Sequence, residues 1–176
     1  HSVRLRFSIK SEIKLSELSL ALEKANETSI LWNDVKVGAE ICGWFTDKSI
    51  NKVKLPELKK GFNTMILEFP ITPVKTIEWC YLLGEFGVSL AGKEAAIINM
   101  PEALSFGDCT VQGLPFYAGN IDYLISTQLD AGSYILEIPQ FRNPLLSLSV
   151  DNGQPVRVAY APYQTRFEIE KPGNHT

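Results

Sequence analysis

The sequence predicts an all-β protein made of two tandem β-sandwich units. Three observations carry this. Apolar and polar residues alternate with a period of two along most of the chain. The alternating runs are about five residues long and punctuated by Gly, Pro, Asn and Asp. The order of strands and turns in the first half also returns in the second.

Val3, Leu5, Phe7 and Ile9 alternate with Arg4, Arg6, Ser8 and Lys10, as in a strand with one buried face. Leu18, Leu20 and Leu22 repeat the pattern; their spacing favours a strand over a helix between 15 and 24, and a turn bearing Asn26 follows. Residues 30–37 read as two short strands around the turn-forming pair Asn33-Asp34. Residues 50–55 and 64–69 are further strands, separated by the turn Lys60-Gly61-Phe62-Asn63. Residues 78–83 and 86–90 flank Gly84 and read as a hairpin or a bulged strand. Five more runs follow, at 121–125, 133–138, 146–150, 156–159 and 165–169. Many short strands with regular turn signals predict a sandwich.

In the first half a strand leads to Asn33-Asp34, then an aromatic segment, then Leu58-Lys59-Lys60-Gly61-Phe62-Asn63. In the second a strand leads to Val150-Asp151-Asn152-Gly153, then Tyr160-Ala161-Pro162-Tyr163, then Ile169-Glu170-Lys171-Pro172-Gly173-Asn174. The offset is about 112 to 119 residues. The unit boundary is expected where Pro101 and Gly107 punctuate the chain, giving units 1–104 and 105–176. Gly61 leads into a full strand, whereas only three residues follow Gly173. The second unit is therefore expected to lack its closing strand, and the chain to be a piece of a longer polypeptide.

Of the 176 residues, 45% are hydrophobic and 21% charged, which excludes wholesale disorder. A net charge of −3 argues against nucleic acid or an anionic membrane as partner. Lys52, Lys54, Lys59 and Lys60 form the only basic cluster and read as a solvated strand face. No run is long and apolar enough to span a bilayer, and no secretory pattern opens the chain. In a piece of a longer polypeptide neither absence fixes a compartment. Cys42, Cys80 and Cys109 are too widely spaced for a disulfide framework or a zinc site; Cys42 and Cys80, among apolar neighbours, read as buried thiols.

Catalytic machinery is sparse. Gly-x-Ser-x-Gly, His-Glu-x-x-His, phosphate-loop and Cys-x-x-Cys patterns are absent, and the two histidines stand at positions 1 and 175. A carboxylate pair among Asp47, Glu78 and Glu85 is conceivable in a glycosidase. Acids beside Trp and Tyr on sandwich loops more commonly bond backbone or ligand hydroxyls. The chain alone is therefore expected not to be an enzyme. No cofactor is expected; a structural calcium is compatible with the sequence, because loop oxygens leave no sharp pattern.

The aromatic residues offer a different chemistry. A sugar packs its C–H face on an aromatic ring, while its hydroxyls need donors and acceptors around the rim. Trp44 with Asp47 and Lys48, Trp79 with Glu78, Tyr117 near Gln112, and Tyr163 with Tyr160 all fit that recipe. The plainer alternative is that aromatics fill a core or the seam between the two units. It is favoured for Phe7 and Trp32, and for Trp79 and Tyr81, which share one strand face; Trp44 follows Gly43 in an expected loop.

The segments Val150-Asp151-Asn152-Gly153, Ala161-Pro162-Tyr163, Gly61-Phe62-Asn63 and Gly173-Asn174 resemble the turns of galactose-binding-like jelly-roll domains. Such domains accompany bacterial glycoside hydrolases related to β-galactosidases and α-L-rhamnosidases. Residues 43–50, 78–87 and 112–120 look like further segments of such an accessory region. The Asn33-Asp34-Val35 turn departs from the Asn-Gly turn usual there. The resemblance implies two tandem galactose-binding-like jelly-roll units, with carbohydrate and the parent polypeptide's catalytic domain as partners. Such domains either bind sugar or brace a catalytic barrel, and fold does not decide between them.

Overall fold

The computed structural model describes residues 2–71, 77–140 and 142–176. The protein is all-β: apart from two short 3-10 turns at Ala25–Glu27 and Cys109–Gln112, the regular elements among the described residues are strands. The chain forms two compact units, 1–118 and 119–176.

Ten strands build unit 1: β1 (Ser2–Ser11), β2 (Leu18–Glu23), β3 (Ser29–Trp32), β4 (Val35–Val37), β5 (Ile41–Phe45), β6 (Asp47–Leu55), β7 (Gly61–Pro70), β8 (Cys80–Gly84), β9 (Gly87–Ala91) and β10 (Glu94–Ile98). They form a six-stranded sheet in the order β4-β3-β7-β1-β10-β9 and a four-stranded sheet in the order β5-β6-β2-β8. The core draws from both sheets, as a sandwich requires. Leu18, Leu20, Leu22, Val53 and Leu55 come from the smaller sheet, and Ile30, Trp32, Met65, Leu67 and Phe69 from the larger. Val3, Leu5, Phe7 and Ile9 turn their half-buried face to this core while Arg4, Arg6 and Lys10 stay in water. β1 pairs antiparallel with β7 along its whole length and parallel with β10 at Lys10↔Ala96 and Ser11↔Ile97.

Trp32 is 1% exposed, and its indole N–H donates to the carbonyl of Glu57 at 3.1 Å. The neighbouring Asn33-Asp34 turn has φ of 48° and 65°, the left-handed pair a two-residue type I′ hairpin needs and that Asn and Asp tolerate. A fully buried amide, Asn63, anchors this turn. Its Nδ2 donates to Lys59 O at 2.7 Å, and its Oδ1 accepts from Lys59 N at 3.1 Å and Asn33 Nδ2 at 3.0 Å. Asn33 and Thr64 then exchange two bonds: Asn33 N donates to Thr64 O at 2.8 Å, and Thr64 N donates to Asn33 Oδ1 at 2.9 Å.

Unit 2 comprises β11 (Thr127–Leu129), β12 (Gly132–Glu137), β13 (Leu146–Leu148), β14 (Val156–Val158), β15 (Gln164–Ile169) and β16 (Gly173–His175). They pair antiparallel in three ladders, β11-β16, β12-β15 and β13-β14. Tyr134 and Phe167, in register on β12 and β15, stack at 5.6 Å. The bracket of unit 1 recurs here. Asp151 and Asn152 have φ of 49° and 61°, and Gly153 N closes the turn onto Val150 O at 2.8 Å. Asp151 N donates to Thr176 O at 2.7 Å, and Thr176 N donates to Asp151 Oδ1 at 3.0 Å. His175 occupies the place of Asn63, 112 residues earlier, and bonds Asp151 Oδ2 at 2.6 Å and Lys171 O at 3.0 Å.

Several sequence expectations are corrected. Residues 78–83 and 86–90 do not form a hairpin: β8 pairs with β2 and β9 with β10, so the chain crosses between sheets at Gly84–Gly87. A Cβ on Gly87 would lie 2.8 Å from Asn99 O and 3.0 Å from Gly113 O, so only glycine fits. Val88 N donates to Gly113 O at 2.7 Å. These contacts bind the segment after β10 to unit 1 and place the division at 118/119 instead of 104/105. Residues 121–125 form no strand; Leu124 and Ile125 are exposed, and the ladder begins at Thr127. The strand after Pro172 begins on Gly173 itself, just as β7 begins on Gly61. Cys42 is exposed, because β5 is an edge strand, whereas Cys80 is half-buried and desolvation pushes its thiol pKa up.

Replacing Asn63 with Ala would leave the amide of Asn33 and both backbone groups of Lys59 without their partner. We expect Asn63→Ala to destabilise unit 1 by about 3 kcal/mol in urea unfolding. A change below about 0.5 kcal/mol would show the bracket to be incidental.

Candidate functional site

The four-stranded sheet gathers the first-unit candidates at one end. In the order β5-β6-β2-β8, strand direction alternates, so the end of β5, the start of β6, the end of β2 and the start of β8 lie together. Register fixes this: Glu23 pairs with Ile50, Leu22 with Cys80, and Phe45 with Asp47. Trp44, Asp47, Lys48, Glu78 and Trp79 therefore share one rim of the sandwich. Gln112 and Tyr117 stand elsewhere in unit 1, and Tyr163 belongs to unit 2.

A small cavity of about 90 Å³ opens between the two sheets at this end. Leu5, Leu22, Leu67 and Phe69 form its apolar floor; Glu23, Lys24, Glu78 and Trp79 stand around it with Thr28 and Cys80. Glu23 and Lys24 carry no motif and were not legible as site residues. Trp79 is 81% exposed and lies just ahead of β8; of the core or seam position expected for it, the core is thereby corrected. Tyr81 is partly exposed and meets Phe45 at 5.3 Å between ring centroids. Ala21, in register with Tyr81, is fully buried. Trp44 lies in edge strand β5, not a loop, and is 55% exposed.

Lys24 has φ 49°, Thr46 57° and Tyr163 57°. Left-handed backbone is uncommon for such residues and a clear outlier for β-branched Thr. Lys24 borders the cavity, Thr46 separates Trp44 from Asp47, and Tyr163 is itself a candidate. Strained backbone of this kind concentrates at functional loops.

The polar candidates differ in how they are held. Asp47 Oδ1 accepts from Ser49 N at 2.8 Å and Ser49 Oγ at 2.7 Å, and these bonds hold its carboxyl below the usual carboxylate range. Lys48 is exposed. Gln112 is spent on its own loop: Oε1 accepts from Ser105 N at 2.8 Å, and Nε2 donates to Ser105 O and Asp108 O, both at 3.1 Å. These bonds brace the loop from Ser105 to Gln112. Tyr117 is exposed after the Cys109–Gln112 turn, its N–H donating to Leu114 O at 3.3 Å. Tyr163 is half-buried; its N–H closes a turn onto Tyr160 O at 2.9 Å, and its carbonyl accepts from Ile138 N at 3.0 Å. Glu85 follows Gly84 at the opposite end of β8 from Glu78, so those two acids do not share a site.

Among the described residues no group of three or more His, Cys, Asp or Glu is placed to hold a metal, and no helix is long and apolar enough to cross a membrane. His1 lies outside the described residues. No protein-family model matches the chain, and neither does any curated protein or solved structure.

The Ser49 bonds make a directional prediction. In Ser49→Ala the side-chain bond is lost and the backbone bond stays, so Asp47 should titrate closer to the ordinary carboxyl value of about 3.9. A carbon-detected NMR titration that leaves Asp47 where it was would show that the hydroxyl contributes nothing.

Proposed function

We propose that the chain is a non-catalytic, carbohydrate-binding-like accessory domain of a larger glycoside hydrolase, its sugar surface lying on the unit 1 rim around Trp79. One observation carries this reading: an indole left 81% exposed stands with Glu78, Glu23 and Lys24 over an apolar-floored cavity. An aromatic ring in water forfeits the burial that normally places it inside, and such exposure marks binding surfaces. The indole face suits the C–H patch of a pyranose, the two carboxylates accept from hydroxyls, and the lysine donates to ring or hydroxyl oxygens.

The cavity is far smaller than the several hundred Å³ typical of pockets that engulf a ligand. The ring of a sugar would therefore rest on the rim, with only an exocyclic substituent entering. Little area is buried that way, so affinity is weak, with a dissociation constant on the order of 1 mM. Catalysis is left to another domain of the parent polypeptide. Of the two histidines, His175 has both ring nitrogens engaged in the unit 2 bracket. The galactose-binding-like jelly-roll resemblance supports the same reading.

A second reading, a bracing or interaction module without sugar binding, draws on the exposed Phe106, Val111 and Phe116 of unit 1. Titration of the whole chain against mono- and oligosaccharides, followed by NMR, separates the two. A weak sugar response that drops at least tenfold in Trp79→Ala, and less in Trp44→Ala, is expected. No response to any sugar would overturn the first reading and leave the second.

A further inference from the structure

We infer that the unit 2 bracket is a proton-operated latch: it ties the end of β16 to the Val150–Gly153 turn while His175 is an imidazolium, and slackens when that proton leaves. The geometry asks for two donors. Nδ1 faces the Asp151 carboxylate at 2.6 Å and Nε2 faces the Lys171 carbonyl at 3.0 Å. Both partners are acceptors, and a neutral imidazole has only one N–H, so deprotonation sets a lone pair against an acceptor at one of the two contacts. The imidazole is 16% exposed and the Asp151 carboxylate 51%, so water replaces the lost bond on the carboxylate side more readily than on the ring.

The matching bracket of unit 1 uses Asn33 and Asn63, neither of which titrates, to hold the equivalent turn against the third residue of the strand that follows. The chain thus carries an ionisable and a neutral version of one device. Around His175 the charged groups are Asp151 on the turn and, ahead of β16, Glu170 and Lys171. The β11 residues in register, Thr127, Gln128 and Leu129, carry no charge.

The signs agree on a closed window. The bond to Asp151 raises the imidazole pKa, helped by the Lys171 carbonyl and opposed by desolvation. The stabilisation from His175 is therefore complete below about pH 6.5, the unfolded value, and is lost as pH rises through the raised folded value. The bond to His175 and that from the Thr176 N–H lower the Asp151 pKa, so its contribution is lost only as pH falls through that depressed value. The latch is closed between the depressed Asp151 value and the raised His175 value, and it opens as pH rises through the latter.

Two measurements on the whole chain test this. In an NMR titration, His175 should titrate above the ordinary imidazole value of about 6.5. Amide exchange, corrected for the intrinsic rate, should show Asp151 protection falling at least threefold from pH 6 to pH 9 while Asn33, its counterpart in unit 1, holds steady. In Asp151→Asn/His175→Asn, which gives unit 2 the bracket side chains of unit 1, that fall should vanish. A His175 imidazole titrating at or below the ordinary value of about 6.5, or a double variant keeping the same fall, would overturn the latch; the titration stands even if the variant does not fold.

Discussion

A buried amide must satisfy its donors and acceptors within the protein, and in unit 1 that requirement falls on Asn63. Water cannot reach it, so its position follows from the partners that Asn33 and Lys59 supply. The same bonds fix the tip of the β3-β4 hairpin against the start of β7. Because β7 pairs with both β1 and β3, the larger sheet takes its register from strands that this amide pins. With the larger sheet set, the leucines of β2 have a surface to pack on, and the open end between the sheets becomes the rim where Trp79 stands.

Much of the fold was legible because its strands bury one face. Alternation located β1, β2, β6 and β7, and the Asn33-Asp34 pair located a hairpin, since left-handed backbone at two successive positions is tolerated by few residues. Strands without that signal were missed. β10 contains Ala95-Ala96, residues with weak strand preference, and is held by parallel pairing to distant β1. β5 is an exposed edge interrupted by Gly43, so neither burial nor composition marks it. The crossing at Gly84–Gly87 read as a hairpin because local sequence reports a turn but not which sheet each arm joins.

The site was legible in part. Trp44, Asp47, Lys48, Glu78 and Trp79 were singled out by chemistry, and antiparallel order brings them to one rim although 35 positions separate Trp44 from Trp79. Gln112, singled out as a ligand residue, also braces its own loop, a role set by Ser105 and Asp108, whose placement no pattern announces. Glu23 and Lys24 reach the cavity only because β2 ends beside β8, a pairing across almost sixty residues.

The position of β1 bears on how unit 1 is born. β1 precedes its partners in the chain yet lies in the interior of the larger sheet, between β7 and β10, whose residues begin at 61 and 94. Emerging from a ribosome, it meets no partner until most of the unit has followed. Such long-range pairing makes folding slow, and the nascent strand, with Val3, Leu5, Phe7 and Ile9 on one face, is the segment most in need of shelter in the interval.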